Sequence, residues 1–210
     1  MRHSKMPVGV PMQKTFYAFD LDGTVSMEEL LPLLGKELGL EEELGLLTRL
    51  TLDGTLSFEA SFRLRFHILR SIPVPIVQKI SAKVTLHPDI EKFILANKER
   101  CAIVTGNLDV WVEPFMERLG CSFYTSTSEM KNGQLLLTKV LDKGAAIRRL
   151  AASHKRIVAI GESFNDMSMF EETDIGVAYG GVHEPVPQLI QIADYVVYDG
   201  GSLCNLLNTL

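Results

Sequence analysis

Two aspartates one residue apart, Asp20 and Asp22, follow the apolar run Phe16-Tyr17-Ala18-Phe19 and lead into Gly23-Thr24-Val25. A continuous apolar run of this kind reads as a buried strand. The carboxylates then stand at its C-terminal end, where open α/β sheets carry their sites. Two carboxylates held close repel each other and lose water. A metal ion, a proton or a phosphate-handling task must offset that cost. Two plainer readings compete. A tight turn accounts for Asp22-Gly23 but leaves Asp20 unexplained. A calcium loop opening at Asp20 needs Gly at its sixth position and Glu at its twelfth, where this chain has Val25 and Leu31.

Further reactive side chains fall at strand ends and helix starts. A second apolar strand, Cys101 to Thr105, ends at Gly106-Asn107, and a third, Arg156 to Ile160, runs into Gly161-Glu162-Ser163-Phe164-Asn165-Asp166. Lys143 opens the helix between them, an unfavourable place for a cation against the helix dipole. Carboxylates, a hydroxyl with backbone amides and one cation suit phosphoryl transfer. A carboxylate can attack phosphorus and carry the group as an acyl phosphate. A second acid must protonate the leaving alkoxide. A divalent cation held by acidic residues lets an anionic nucleophile approach an anionic substrate. Thr, N–H groups and Lys neutralise the equatorial oxygens. Each piece also has an ordinary structural reading, as a turn or as a helix start. Their joint occurrence in order carries the argument.

The elements that must position these residues follow from periodicity. From Met27 to about Leu86 apolar residues recur at helical spacing. Leu30, Leu31, Leu33, Leu34 and Leu38 form one such set, ending at Gly39, and Glu41 to Leu50 repeats it. Ser57 reads as the N-cap of a helix through Phe58, Phe62, Phe66 and Leu69, and Pro75 to Val84 as a further short helix. After His87-Pro88 helices and strands alternate, with an Asn132-Gly133 hairpin signal. This pattern predicts an α/β fold, a doubly wound parallel sheet covered on both faces, with a small helical cap inserted. The expected division is a tail over residues 1–13, a core over 14–25 and 87–210, and a cap over 26–86.

Composition bounds the rest. The chain has 210 residues, 46% of them hydrophobic, and a net charge of -5. It is long enough for one large domain or one with an insertion. The acidic balance argues against nucleic acid, which rewards basic stripes. No apolar run approaches the roughly 20 residues of a membrane-spanning helix, and the head lacks the apolar stretch of a cleaved signal. Cys101, Cys121 and Cys204 are odd in number and widely spaced, which predicts free thiols in a reducing cytoplasm. The five histidines form no metal-ligand pair and read as surface or capping residues.

With these residues in place the sequence resembles the haloacid dehalogenase superfamily of phosphatases. Its four motifs occur in order as DLDGT at Asp20, Thr105, Lys143 and GESFND at Gly161. The likeness extends to the phosphoserine phosphatase branch, over roughly residues 15 to 208. That branch carries a helical cap after the first strand, a Glu soon after the first motif, here Glu29, and a run matched by Gly54-Thr55-Leu56-Ser57-Phe58-Glu59-Ala60-Ser61-Phe62-Arg63-Leu64-Arg65. The resemblance implies a Rossmann-like core and a phosphomonoester hydrolase working through an aspartyl phosphate. Asp20 would be the nucleophile and Asp22 the general acid, then the base. Thr105, Gly106 and Lys143 would bind the phosphoryl group, and Asn107 and Asn165 would contact substrate or water. Mg²⁺ would be held by Asp20, the backbone carbonyl of Asp22 and Glu162, with Asp166 supporting the metal or orienting Lys143. Glu29 and Arg65 would grip the ammonium and carboxylate of a substrate such as phosphoserine. Two departures stand out: the family usually has Asp where this chain has Glu162, and its phosphoserine branch tends to have Gly where this chain has Asn107. The first shifts a carboxylate by about one bond; the second puts a side chain toward the substrate space. A receiver domain also pairs an acidic Mg²⁺ pocket with Thr and Lys, but has no use for Asp22. A non-catalytic phosphate binder on the same scaffold is the other alternative, and a dehalogenase would not need Asp22 either.

Overall fold

The structure, a computed structural model, describes residues 15–52 and 55–210. The expected tail over 1–13 lies outside the described residues. In chain order the elements are β1 (Phe16–Phe19), α1 (Leu30–Leu38), α2 (Glu41–Leu52), α3 (Phe58–Leu69), α4 (Val74–Ser81), α5 (Pro88–Ala96), β2 (Cys101–Leu108), α6 (Asp109–Leu119), β3 (Ser122–Lys131) and β4 (Gln134–Lys139). Then follow α7 (Lys143–Ala151), β5 (Ile157–Gly161), α8 (Met167–Phe170), β6 (Ile175–Tyr179), α9 (Pro187–Ile192), β7 (Tyr195–Val197) and α10 (Gly200–Leu207).

The strands form one sheet of order β4-β3-β2-β1-β5-β6-β7. Every pairing is parallel except β3 with β4, the two strands joined by the expected hairpin, with Asn132 at φ 52°. Because β1 sits between β2 and β5, the chain departs from it to both sides, which makes its C-terminal end a topological switch point. Alternation along β1 feeds two cores. Tyr17 and Phe19 join one with α5, α6, α10 and the inserted helices. Phe16 and Ala18 join the other with Ala146, Ile147 and Leu150 of α7 and Met169 and Phe170 of α8. Asp20 continues the parity of Ala18, toward the α7 side.

Two elements differ from expectation. β2 does not stop at Gly106. It runs to Leu108, with a register shift against β3 between Val104 and Leu108. Such an irregularity re-aims side chains at a sheet rim, here those of Thr105 and Asn107. The sequence reading also missed α10. Its first two residues are glycines, which disfavour a helix interior. Asp199 caps it by accepting from the Ser202 N–H at 2.8 Å, and the Tyr17 hydroxyl ties it to β1 by donating to the Leu207 carbonyl at 2.7 Å. No helix of the described residues is long and apolar enough to cross a membrane. The three cysteines are free thiols.

The four helices α1–α4 lie between β1 and α5, and α3 and α4 pack on α6 of the core. Ser57 caps α3 by accepting from the Ala60 N–H at 3.2 Å. Phe62 and Phe66 of α3 meet Trp111 of α6 with ring centroids 6.2 and 6.5 Å apart, and all three are fully buried. This aromatic cluster is the seam between the inserted helices and the sheet layer. Phe66→Ala is expected to cost about 3–5 kcal/mol. Because Trp111 is the sole tryptophan, its emission reads the seam directly. Urea unfolding followed at Trp111 should show a lower midpoint and a red-shifted native emission, whereas unchanged values would mean the seam is not set by this cluster.

Candidate active site

The ends of β1, β2 and β5 and the start of α7 meet at one cavity of about 240 Å³. Asp20, just past β1, is buried. Its Oδ1 accepts from Lys143 Nζ at 2.6 Å, and the same ammonium donates to Asp166 Oδ1 at 2.6 Å. Lys143 is the first residue of α7, where Asp142 supplies the cap by accepting from the Ala145 N–H at 3.0 Å. Asp166 has its other oxygen, Oδ2, engaged by the Glu162 N–H, the Ser163 N–H and the Ser163 hydroxyl, at 2.9, 2.9 and 3.0 Å. The loop after β5 is thereby folded around one carboxylate.

Asp22 faces the cavity from the turn after Asp20. Its Oδ1 accepts from the Leu30 N–H at 2.7 Å and its Oδ2 from Asn107 Nδ2 at 2.5 Å. The turn depends on Gly23, which sits at φ 70° and against the Glu162 carboxylate, so that a Cβ there would collide with it. Gly106 has a similar constraint from the other side: the Phe58 ring of α3 lies where a Cβ would project.

Too much negative charge is gathered here for one lysine to balance. Burial, then the charge of Asp166, pushes Asp20 up to about 8, against the pull of Lys143. Burial, then Asp20 and Asp166, pushes Glu162 up to about 9. Burial also raises Asp22, to about 6, while the Leu30 and Asn107 hydrogen bonds hold it back. Burial alone would lower the Lys143 pKa, but Asp166 and Asp20 outweigh it and raise it. Lys143 therefore stays charged, and the raised carboxylate values express burial first and the surplus of acid second. Glu162 Oε2 is buried with no hydrogen-bond partner among the described residues. An orphaned carboxylate oxygen beside Asp20 is a fitting donor set for a hard divalent cation.

The opposite wall comes from the inserted helices. Leu31, Pro32, Phe58 and Phe62 supply apolar surface, and Thr48, Thr51, Ser61 and Arg65 polar groups. Arg65 is buried. It donates to Thr48 Oγ1 at 2.8 Å and Ser61 Oγ at 3.3 Å, and among the described residues it forms no ion pair. Burial lowers its pKa, and the charge of Glu29 counters this. Glu29 is partly exposed, with Oε1 3.6 Å from Nε2 of the exposed His183. One ligand atom each of Glu29, Glu162 and His183 lie within 4.8 Å of one another.

Of the residues singled out in the sequence, Asp20, Asp22, Glu29, Arg65, Gly106, Asn107, Lys143, Glu162 and Asn165 line this one cavity. Thr105 and Asp166 stand behind it, buried, Thr105 Oγ1 accepting from the Asn107 N–H and Nδ2 at 3.2 and 3.1 Å. The residues not anticipated are Thr48, Thr51, Ser61 and Ser163. The hydroxyls of Thr48 and Thr51 turn back to carbonyls of their own helix at 3.1 and 2.7 Å, as any helical threonine can, so no sequence signal marks them.

The family model for haloacid dehalogenase-like hydrolases matches residues 17–171. A phosphoserine phosphatase of Methanocaldococcus jannaschii is 29% identical over 181 residues, 80% of this chain and 86% of that protein. One of Archaeoglobus fulgidus is 25% identical over 80% of this chain, which spans about half of that relative, 53%. A solved structure described as a phospho-aspartyl intermediate analogue of phosphoserine phosphatase superposes with a TM-score of 0.75 at 26% identity, covering 92% of this chain and 99% of that one.

The acid surplus makes a stability prediction. Unfolded carboxyls titrate near pH 4, whereas Asp20 and Glu162 do so at about 8 and about 9 in the fold. Between those values the folded state holds more protons, so its stability falls as pH rises. In chelator the melting temperature should drop from about pH 5 to about pH 8, less steeply in Glu162→Gln. Added Mg²⁺ should raise it, and more at the higher pH. Equal slopes in wild type and Glu162→Gln, with no response to the cation, would contradict the charge assignment.

Proposed function

Because the chain belongs to the haloacid dehalogenase-like hydrolases and is a phosphatase akin to the phosphoserine phosphatases, we propose that it is a Mg²⁺-dependent phosphomonoesterase. In this reading it acts through an aspartyl phosphate on phosphoserine or a similar small metabolite. The observation that carries the reading is Asp20 and Asp22 facing one cavity, the first bound to a buried lysine and the second not.

Asp20 attacks phosphorus through the carboxylate oxygen not held by Lys143, and the P–O bond to the substrate alcohol breaks. Asp22 gives its proton to the departing alkoxide. The resulting carboxylate then takes a proton from water as that water attacks the aspartyl phosphate, which releases inorganic phosphate and restores Asp20. A group poised near 6 suits both proton transfers at neutral pH. Lys143 and the Gly106 N–H neutralise the transferring oxygens, whereas Thr105, expected there from the sequence, stands behind the cavity and holds Asn107. Asp20, the Asp22 carbonyl and Glu162 would hold the cation, which offsets the repulsion between carboxylate and phosphate. The occupied oxygens of Asp166 favour its role as the partner that fixes Lys143 and shapes the loop, rather than as a direct ligand. Asn165, at the cavity wall, would contact phosphate or water.

On the far wall Arg65 supplies an in-plane fork for a carboxylate and Glu29 a charge for an ammonium. The helices over 26–86 act in this reading as a cap that excludes water during attack and readmits it for hydrolysis.

A screen of phosphorylated metabolites with Mg²⁺, phosphoserine and p-nitrophenyl phosphate included, tests the whole. Asp20→Asn should abolish turnover of every substrate, and retained turnover would remove Asp20 from the nucleophile's place. Arg65→Ala should raise KM for phosphoserine by about tenfold or more, the scale of a lost charge-assisted hydrogen bond, while p-nitrophenyl phosphate is turned over nearly as before. Equal losses on both would make Arg65 a structural residue.

A further inference from the structure

We propose that Asn107 is the positioning residue for Asp22, holding that carboxylate aimed into the cavity whether or not the inserted helices are seated over it. The inference rests on the phosphatase reading above and deepens it. Asn107 is buried, and its Nδ2 has two acceptors, Asp22 Oδ2 at 2.5 Å and Thr105 Oγ1 at 3.1 Å. The amide is therefore anchored at the rim of β2 before it reaches Asp22.

The geometry of Asp22 explains why such an anchor is needed. A short carboxylate in a turn has three staggered χ1 wells to choose among, and its two hydrogen bonds fix the one found here. Two donors select that well. One is the Leu30 N–H, an unpaired donor in the first turn of α1, which belongs to the inserted helices. The other is Asn107, which sits on the sheet beside β1. A displacement of the inserted helices that carries Leu30 with it would remove the first donor and leave the second. Asn107 stays beside Asp22, because β2 pairs with β1, the strand from whose C-terminal end the Asp22 turn departs.

The end of β2 supplies the anchor. Between Val104 and Leu108 the ladder to β3 is interrupted, and Thr105 and Asn107, two residues apart, share one face of β2 there. The Thr105 hydroxyl can then accept from both the N–H and the side chain of Asn107. A glycine at 107 would keep the backbone turn and lose the grip on Asp22.

The test separates proton donation from binding and from folding. An alkyl leaving group needs a proton from Asp22, whereas a nitrophenolate leaves without one. The value kcat/KM reports the first half-reaction, up to the aspartyl phosphate. In Asn107→Ala and in the similarly branched Asn107→Leu, kcat/KM for phosphoserine should fall by about tenfold or more, part of the range general acids supply. For p-nitrophenyl phosphate the loss should be smaller by at least about fivefold, because that leaving group departs without a proton. A matching loss on both substrates, or on neither, overturns the proposal. A crystal structure of Asn107→Leu supplies a readout independent of turnover: Asp22 should leave its present rotamer or show several, and a single unchanged rotamer overturns the proposal as well. The phosphatase reading itself is judged on wild type and Asp20→Asn, so the two can fail separately.

Discussion

One buried ammonium organises this molecule. Lys143 Nζ sits 2.6 Å from both Asp20 and Asp166, joining the end of β1, the start of α7 and the loop after β5. A lysine at a helix start opposes the helix dipole, and burying it removes its water. Two charge-assisted hydrogen bonds offset both costs. Removing the lysine would leave two carboxylates buried beside each other with no counter-charge, the circumstance in which breaking a buried ion pair is strongly destabilising. The arrangement is therefore fixed in place by its own electrostatics. It also holds Asp20 by one oxygen and leaves the other toward the cavity.

The same electrostatics explain why the cavity is divided. Its floor, from the sheet, is acidic beyond what Lys143 neutralises, and two unit charges 4 Å apart at a protein surface interact by about 4 kcal/mol. A phosphate dianion cannot rest on such a floor without a further cation. The roof, from α1 to α3, offers the reverse: a buried guanidinium on hydroxyl partners, with aromatic and aliphatic surface around it. In the proposed reading a ligand bridging both presents phosphate to the floor and a second anionic group to Arg65, which phosphorylated amino acids would do and simple alkyl phosphates would not.

Much of this was legible in the chain. The apolar run ending in Asp20 located the central strand, because burial on both faces leaves no polar position in it. Ser57 announced α3, and Asn132-Gly133 announced the hairpin, since each residue type answers a specific backbone need at its position. What escaped notice had no such local signature. α10 begins with Gly200-Gly201, which reads as loop until Asp199 and the packing of Leu203 and Leu207 are seen. The extension of β2 to Leu108 depends on its neighbour strand. Of the hydroxyls that support Arg65, Ser61 lies one turn back on the same helix, but Thr48 is 17 residues away and is an unremarkable helix residue until α2 and α3 meet.

The placement of the two aspartates relative to the inserted helices is the last consequence of the fold. Asp20 is bound only by groups of the sheet layer, through Lys143. Asp22 is bound by one such group and by one of α1, the Leu30 N–H. Phe58 of α3 presses on Gly106 in the same strand end that carries Asn107. The roof therefore touches the site at Asp22 and beside the Gly106 backbone, and not at Asp20. A displacement of the roof would leave Asp20 and its lysine in register, while changing the donors around Asp22 and the access of water. In the proposed reaction these are the quantities that must differ between its two halves, one needing a proton delivered in a dry cavity and the other a water molecule and a carboxylate to activate it.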